Sequence, residues 1–219
     1  MANTTFNGKV RSENGFAQIT KTAATGAITE NTTIDSSGNV SAGGTLSVTG
    51  RSTLTGNTIA TTAGTGITTG TGTVYEAGVI KIGEVFHTTI LIDLTGLASS
   101  GSGDIIGKDS TANSHIGQIT AAVNGTVLGG KLTCLEAPAG GDPDINLWYA
   151  DEATGTEDAA VTGLTNQVQI CNSGDLALNS VVSLATVAAD KYLYMATGAA
   201  TNADYTAEKL LIEFWGYTA

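Results

Sequence analysis

The sequence predicts an all-β protein, and three features of its 219 residues point that way. Hydrophobic residues make up 41% and charged residues only 13%, so the chain can build a core and is not of the disordered type. Glycine occurs 29 times and proline twice, without the strict three-residue period of collagen. Short runs of alternating or continuous apolar residues recur between glycine-rich turns, and no sustained 3.6-residue periodicity competes with them.

Taken in order, residues 1–30 are polar, mixed in charge and broken by glycine, with Phe6, Val10, Phe16 and Ile19 spaced through them. Such a stretch suits an arm or small β element that lies on another surface. Lys9, Arg11 and Lys21 give it a positive bias in a chain of net charge −11. From residue 31 to 77 charge almost vanishes, and glycines fall at Gly38, Gly44, Gly50 and Gly56, six residues apart. Val40, Leu46, Val48, Leu54 and Ile59 lie among or just after them as short strand material. Strands this poor in apolar side chains do not offset the roughly 1–2 kcal/mol per residue lost on ordering a backbone. A single-chain β-helix would need more coils than this segment can make. The expectation is therefore an intertwined β segment in a homotrimer, with those five residues on the shared axis.

From about residue 78 the text becomes a conventional antiparallel β-sandwich, jelly-roll-like. Expected strands lie in "EVFHTTILIDLTGL" (84–97), "GKLTCLEA" (130–137), "DINLWYADEA" (144–153) and "NQVQICNSG" (166–174). "SVVSLATV" (180–187), "KYLYMATG" (191–198) and "EKLLIEFWGYT" (208–218) complete the set. In the last, Leu210, Ile212 and Phe214 face one way and Leu211, Glu213 and Trp215 the other. Its two mainly apolar faces mark a central strand, or an edge strand covered by a partner subunit. A helical turn within 109–126 is weakened by Gly117 and Thr120.

Few residues invite chemistry. His87 alternates with apolar neighbours, His115 has no metal-ligand partner at suitable spacing, and no nucleophile-elbow pattern occurs. The glycine run "GTGITTGTG" (64–72) lacks the flanking strand, the helix and the lysine of a phosphate loop. Asp142, Asp144 and Asn146 start like a calcium loop, but Leu147 and Ala153 stand where that template needs Gly and Glu. Asp151, Glu152, Glu157 and Asp158 follow nearby, and a solvated acidic loop is the simpler reading. Cys134 and Cys171, the two cysteines, read more simply as buried free thiols than as a bridge. No catalytic residue, metal or cofactor is expected. The acidic balance argues against nucleic acid and anionic membranes, no run reaches the roughly 20 apolar residues of a membrane span, and no secretory signal is expected.

The opening "MANTTFNGKVRSENGF", the hexad text "DSSGNVSAGGTLSVTGRSTLTG" and "NGTVLGGKLTCLEAPAGGDPDINLWYADE" together resemble structural proteins of tailed bacteriophages, many of them marine. The resemblance implies a capsid decoration or head-fibre subunit on the outer surface of the virion, partnered by the major capsid protein, with no catalytic residues. Docking on the shell then falls to Phe6, Lys9, Val10, Arg11, Phe16 and Ile19. The alternative is a tail or head fibre whose sandwich recognises a host glycan through Trp148 with Tyr149, or through Tyr192, Tyr194 and Tyr205. A polysaccharide depolymerase would need a carboxylate pair in a groove, and only 142–158 offers the material.

Overall fold

A computed structural model describes residues 16–21, 25, 28–34, 40–42, 61–199 and 203–218. The chain forms two compact units, Met1–Leu54 and Thr55–Ala219. In the first, β1 (Phe16–Lys21), β2 (Ile28–Ile34) and β3 (Val40–Ala42) make a three-stranded antiparallel sheet in that order. A bulge between Gln18 and Ile19 shifts the β1–β2 register, and Val40 pairs with Ile34. This differs from the expected division at 30/31, which falls inside β2. Val40, assigned above to a shared axis, has a strand partner within its own chain. Phe16 and Ile19 both lie on β1. Phe6, Lys9, Val10, Arg11, Leu46, Val48, Leu54 and Ile59 lie outside the described residues.

The second unit is a two-sheet antiparallel sandwich. A four-residue helix α1 (Thr65–Thr68) precedes β4 (Val74–Ile82) and β5 (Val85–Asp93). There follow β6 (Ala98–Ser99), β7 (Gly117–Ile119), a short helix α2 (Ala121–Asn124), β8 (Thr126–Ala139) and β9 (Ile145–Ala150). A 3-10 turn (Val161–Gly163) leads to β10 (Val168–Cys171), β11 (Val181–Leu184), β12 (Lys191–Thr197), β13 (Ala203–Asp204) and β14 (Ala207–Tyr217). One sheet has the order β11-β8-β14-β5-β4 and the other β10-β9-β12-β7, with a small β13-β6 pair beside them. All seven strands expected between residues 84 and 218 are present.

Alternation builds the core. β5 buries Phe86, Thr88, Ile90 and Ile92 and leaves the intervening residues partly or fully exposed. β14 buries Leu210, Ile212 and Phe214 on the same face. From the opposing sheet come Ile119, Ile145, Leu147, Ile170, Leu193 and Met195. β14 is central, hydrogen-bonded to β5 on one side and β8 on the other, so the first of the two expectations for its position is the right one. Fully burying each such aliphatic or aromatic side chain contributes roughly 1.5–3 kcal/mol.

The expected boundary at 77/78 lies inside the sandwich. Ile67 is fully buried in the main core, and Val79 of β4 is buried too. The glycines of 64–72 serve close packing here. A Cβ on Gly64 would stand 1.9 Å from the Asn113 carbonyl oxygen, and one on Gly66 would stand 2.1 Å from Ser114 Oγ. Backbone bonds Gly64 N–H to His115 O (2.9 Å) and Gly66 N–H to Asn113 O (3.1 Å) lock α1 onto the 113–115 loop. The helical turn considered for 109–126 does form, as α2. Thr120, counted against it, caps it: its Oγ1 accepts from Val123 N–H at 3.3 Å.

Candidate functional site

A cleft of about 370 Å³ opens beside Thr61, Thr62, His115, Gln118, Thr120 and Tyr192. At least four pieces of chain meet there, around Thr61, His115–Val123, Ala153 and Tyr192. Thr61 Oγ1 accepts from Gln118 N–H (2.9 Å) and donates to Gln118 O (3.1 Å), joining the start of the unit to β7. Tyr75 of β4 donates its hydroxyl to Ile116 O (2.8 Å), beside His115. His115 packs edge-on against Tyr192 (5.0 Å between ring centres) and Tyr194 (6.4 Å). Burial pushes the His115 pKa below that of a free imidazole, so the neutral ring is favoured. Among the described residues, no charged side chain lines the cleft. Its chemistry is therefore that of hydroxyls, an amide, a neutral imidazole and an aromatic ring.

The aromatic candidates separate on burial. Tyr194 and Tyr205 are fully buried and hydrogen-bonded internally. Tyr194 donates to Glu152 O (2.7 Å) and accepts from Gly155 N–H, while Tyr205 donates to Asp142 O. Burial raises the Tyr194 phenol to about 12. Trp148 packs on a second small core of Ile105, Ala150, Val161, Tyr194 and Ala196. Tyr149 is half-buried and packs against the main core. Of the set, Tyr192 lines the cleft described above.

The acidic stretch is not one solvated cluster. Asp142 is buried; its Oδ1 accepts from Asp144 N–H and its Oδ2 from Ala199 N–H, each at 3.0 Å. Asn146 Oδ1 accepts from Ser173 N–H (3.0 Å). Glu152 Oε1 accepts from Thr165 N–H (2.8 Å), and Asp151 is bridged to Lys191 and to Asn166. Glu157 accepts from Ser110 N–H (2.9 Å), and burial raises its pKa to about 7. The carboxylates thus tie loops together, and among the described residues no group of three or more ligating side chains is placed to hold a metal. Cys134 and Cys171 are buried free thiols, as expected, and burial raises both, Cys171 to about 11.

His87 belongs to a surface network on the five-stranded sheet. Its Nε2 lies 3.0 Å from Glu213 Oε1, and its ring stacks on Trp215 at 5.4 Å with the planes 4° apart. Lys131 Nζ lies 2.8 Å from Glu213 Oε2 and 5.8 Å from the Trp215 ring centre. Burial alone would raise the Glu213 pKa; hydrogen bonds from Lys131 and His87 outweigh it and hold the carboxyl below its ordinary value. One titratable group escaped the sequence reading. Glu208 is fully buried, neither carboxyl oxygen has a hydrogen-bond partner, and burial with the nearby Asp142 charge raises it to about 9.

Comparison with protein-family models, with curated proteins and with solved structures finds no match. No helix of the described residues is long and apolar enough to cross a membrane.

Proposed function

We propose that this chain is a structural protein of a tailed-bacteriophage particle. It decorates the outer capsid surface as a homotrimer, stabilises the shell and displays the β-sandwich from it. The observation that carries this reading is the division into two compact units. A small N-terminal sheet holds Phe16, Ile19 and Lys21 of the basic, apolar docking segment, and the sandwich follows as a separate body. The likeness of the opening and hexad segments to phage structural proteins supports it. So does the sandwich itself, in which His87, His115, Asp142, Asp151, Glu152 and Glu157 serve packing, hydrogen bonds and ion pairs. The partner is the major capsid protein, met through Phe6, Lys9, Val10, Arg11, Phe16 and Ile19. Three such arms on one particle bind with avidity, so each contact can be weak. Deleting residues 2–30 is expected to reduce co-sedimentation with empty capsids at least tenfold while leaving the sandwich folded. Undiminished binding would overturn the docking assignment.

A second reading, a fibre that binds a host glycan, draws support from the cleft at Tyr192. Its uncharged lining of threonine hydroxyls, Gln118 and an aromatic ring suits a neutral saccharide. Under this reading Tyr192→Ala abolishes retention on a neutral-glycan array, and Trp148→Phe does not. Equal retention of the two variants would remove the cleft from consideration.

A further inference from the structure

The two outer faces of the sandwich are unequal. On the four-stranded sheet, Ala150, Tyr194 and Ala196 lie under Ile105 and Val161, so the chain covers that face itself. The outer face of the five-stranded sheet is bare at one end. There β4, β5 and β14 set two adjacent rows side by side, Ile82–Val85–Tyr217 and Ile80–His87–Trp215. Ile82 is 74% exposed and Ile80 58%, and Val85, Trp215 and Tyr217 are exposed as well. A contiguous apolar patch on an outer sheet face marks an interaction surface more often than chance exposure.

Charge selects the occupant. Residues 55–219 carry 17 acidic side chains against five lysines, so two copies repel each other over most of their surface. The two apolar rows hold no acidic side chain. On the rows beyond, Glu213 is compensated by Lys131 and His87, and Lys209 by Asp93 and Glu136, while Glu76, two rows from the patch, is exposed with no ion pair among the described residues. A cationic partner would be drawn to the acidic surface instead. A sister chain can approach only where charge is absent or already paired. We infer that the patch of Ile80, Ile82, Val85, Trp215 and Tyr217 is where sister copies meet, turned toward the symmetry axis of the oligomer. This rests on the homotrimeric reading and names the surface through which the bodies pack.

Sedimentation of the full chain tests it. Wild-type protein is expected to sediment as a trimer. The double variant Ile80→Asp, Ile82→Asp should shift at least tenfold toward smaller species, while Leu178→Asp, an equally exposed site outside the patch, stays as wild type. If the double variant loses its β-sheet circular dichroism, Val85→Lys is judged by the same criterion. In parallel, acrylamide quenching of Trp215 in a Trp148→Phe background should fall on assembly. A patch variant that assembles like wild type, or a Trp215 that stays equally accessible in the oligomer, overturns the inference and leaves the trimer standing. A wild-type monomer overturns both, whereas capsid docking through residues 2–30 is judged separately by co-sedimentation.

Discussion

Removing residues 208–219 is expected to unfold the sandwich outright. β14 is the middle strand of the five, and its loss separates the β11–β8 pair from the β5–β4 pair. It also strips Leu210, Ile212 and Phe214 from the main core. Phe214→Ala gives the graded version of the same test. Truncating a fully buried phenylalanine costs about 3–5 kcal/mol, against a total of roughly 5–15 kcal/mol for a domain. Leu211→Ala, three positions back, on the opposite face and outside the apolar patch, should cost less than about 1.5 kcal/mol. Urea unfolding followed by circular dichroism reads the difference. Equal costs for the two substitutions would mean that the inward and outward faces of β14 are misassigned.

Glu208→Gln is expected to stabilise the protein at alkaline pH and to remove most of its pH dependence there. The Glu208 carboxyl sits buried without a hydrogen-bond partner near Asp142, and its pKa stands at about 9 in the fold. In the unfolded chain it titrates near 4.3. Between those values the folded state holds a proton that the unfolded state has released. Stability therefore falls as pH rises, by about 1.4 kcal/mol per pH unit for one such group. Glu157, raised to about 7, adds to the fall up to neutrality. His115 acts with the opposite sign: its lowered pKa favours the neutral ring in the fold, so its contribution is lost as pH drops below about 6.5. Asp93 and Glu213 are held below their ordinary values and contribute stability that is lost in acid. The wild-type urea midpoint should thus decline from pH 7 to 9, and Glu208→Gln should flatten that decline. An unchanged slope in the variant would show that Glu208 is not the titrating group.

Much of this was legible in the residues. Period-two alternation located β5, and apolar runs bounded by turn text located β8, β9, β12 and β14. The same parity runs the length of β14. Glu208 is in phase with Leu210, Ile212 and Phe214, so the sequence already turned it inward, while Trp215 and Tyr217 were in phase outward. β4 was missed because "VYEAGVIKI" breaks its own alternation. Gly78 and Val79 are both buried, and Ile80 and Ile82 face solvent. α1 and α2, four residues each, are too short to display a helical period. The cleft was beyond reach for another reason. It brings Thr61, His115 and Tyr192 together from distant parts of the chain, and nothing local marks that meeting. The edges at 30/31 and 77/78 follow the fall and return of charge, and charge does not mark where hydrogen-bonded strands begin or end: one edge falls inside β2 and the other inside β4. At Gly64 and Gly66 the glycines mark close backbone contact within the sandwich.

In the function proposed here, the N-terminal unit seats this chain on a capsid and leaves the sandwich outside. An electron cryomicroscopy reconstruction of virions carrying the chain tests it most directly. Density fitting the sandwich is expected on the outer face of the head, in threefold groups, joined to the shell by the N-terminal unit. Density for the sandwich on the tail, or none on the head, would contradict it.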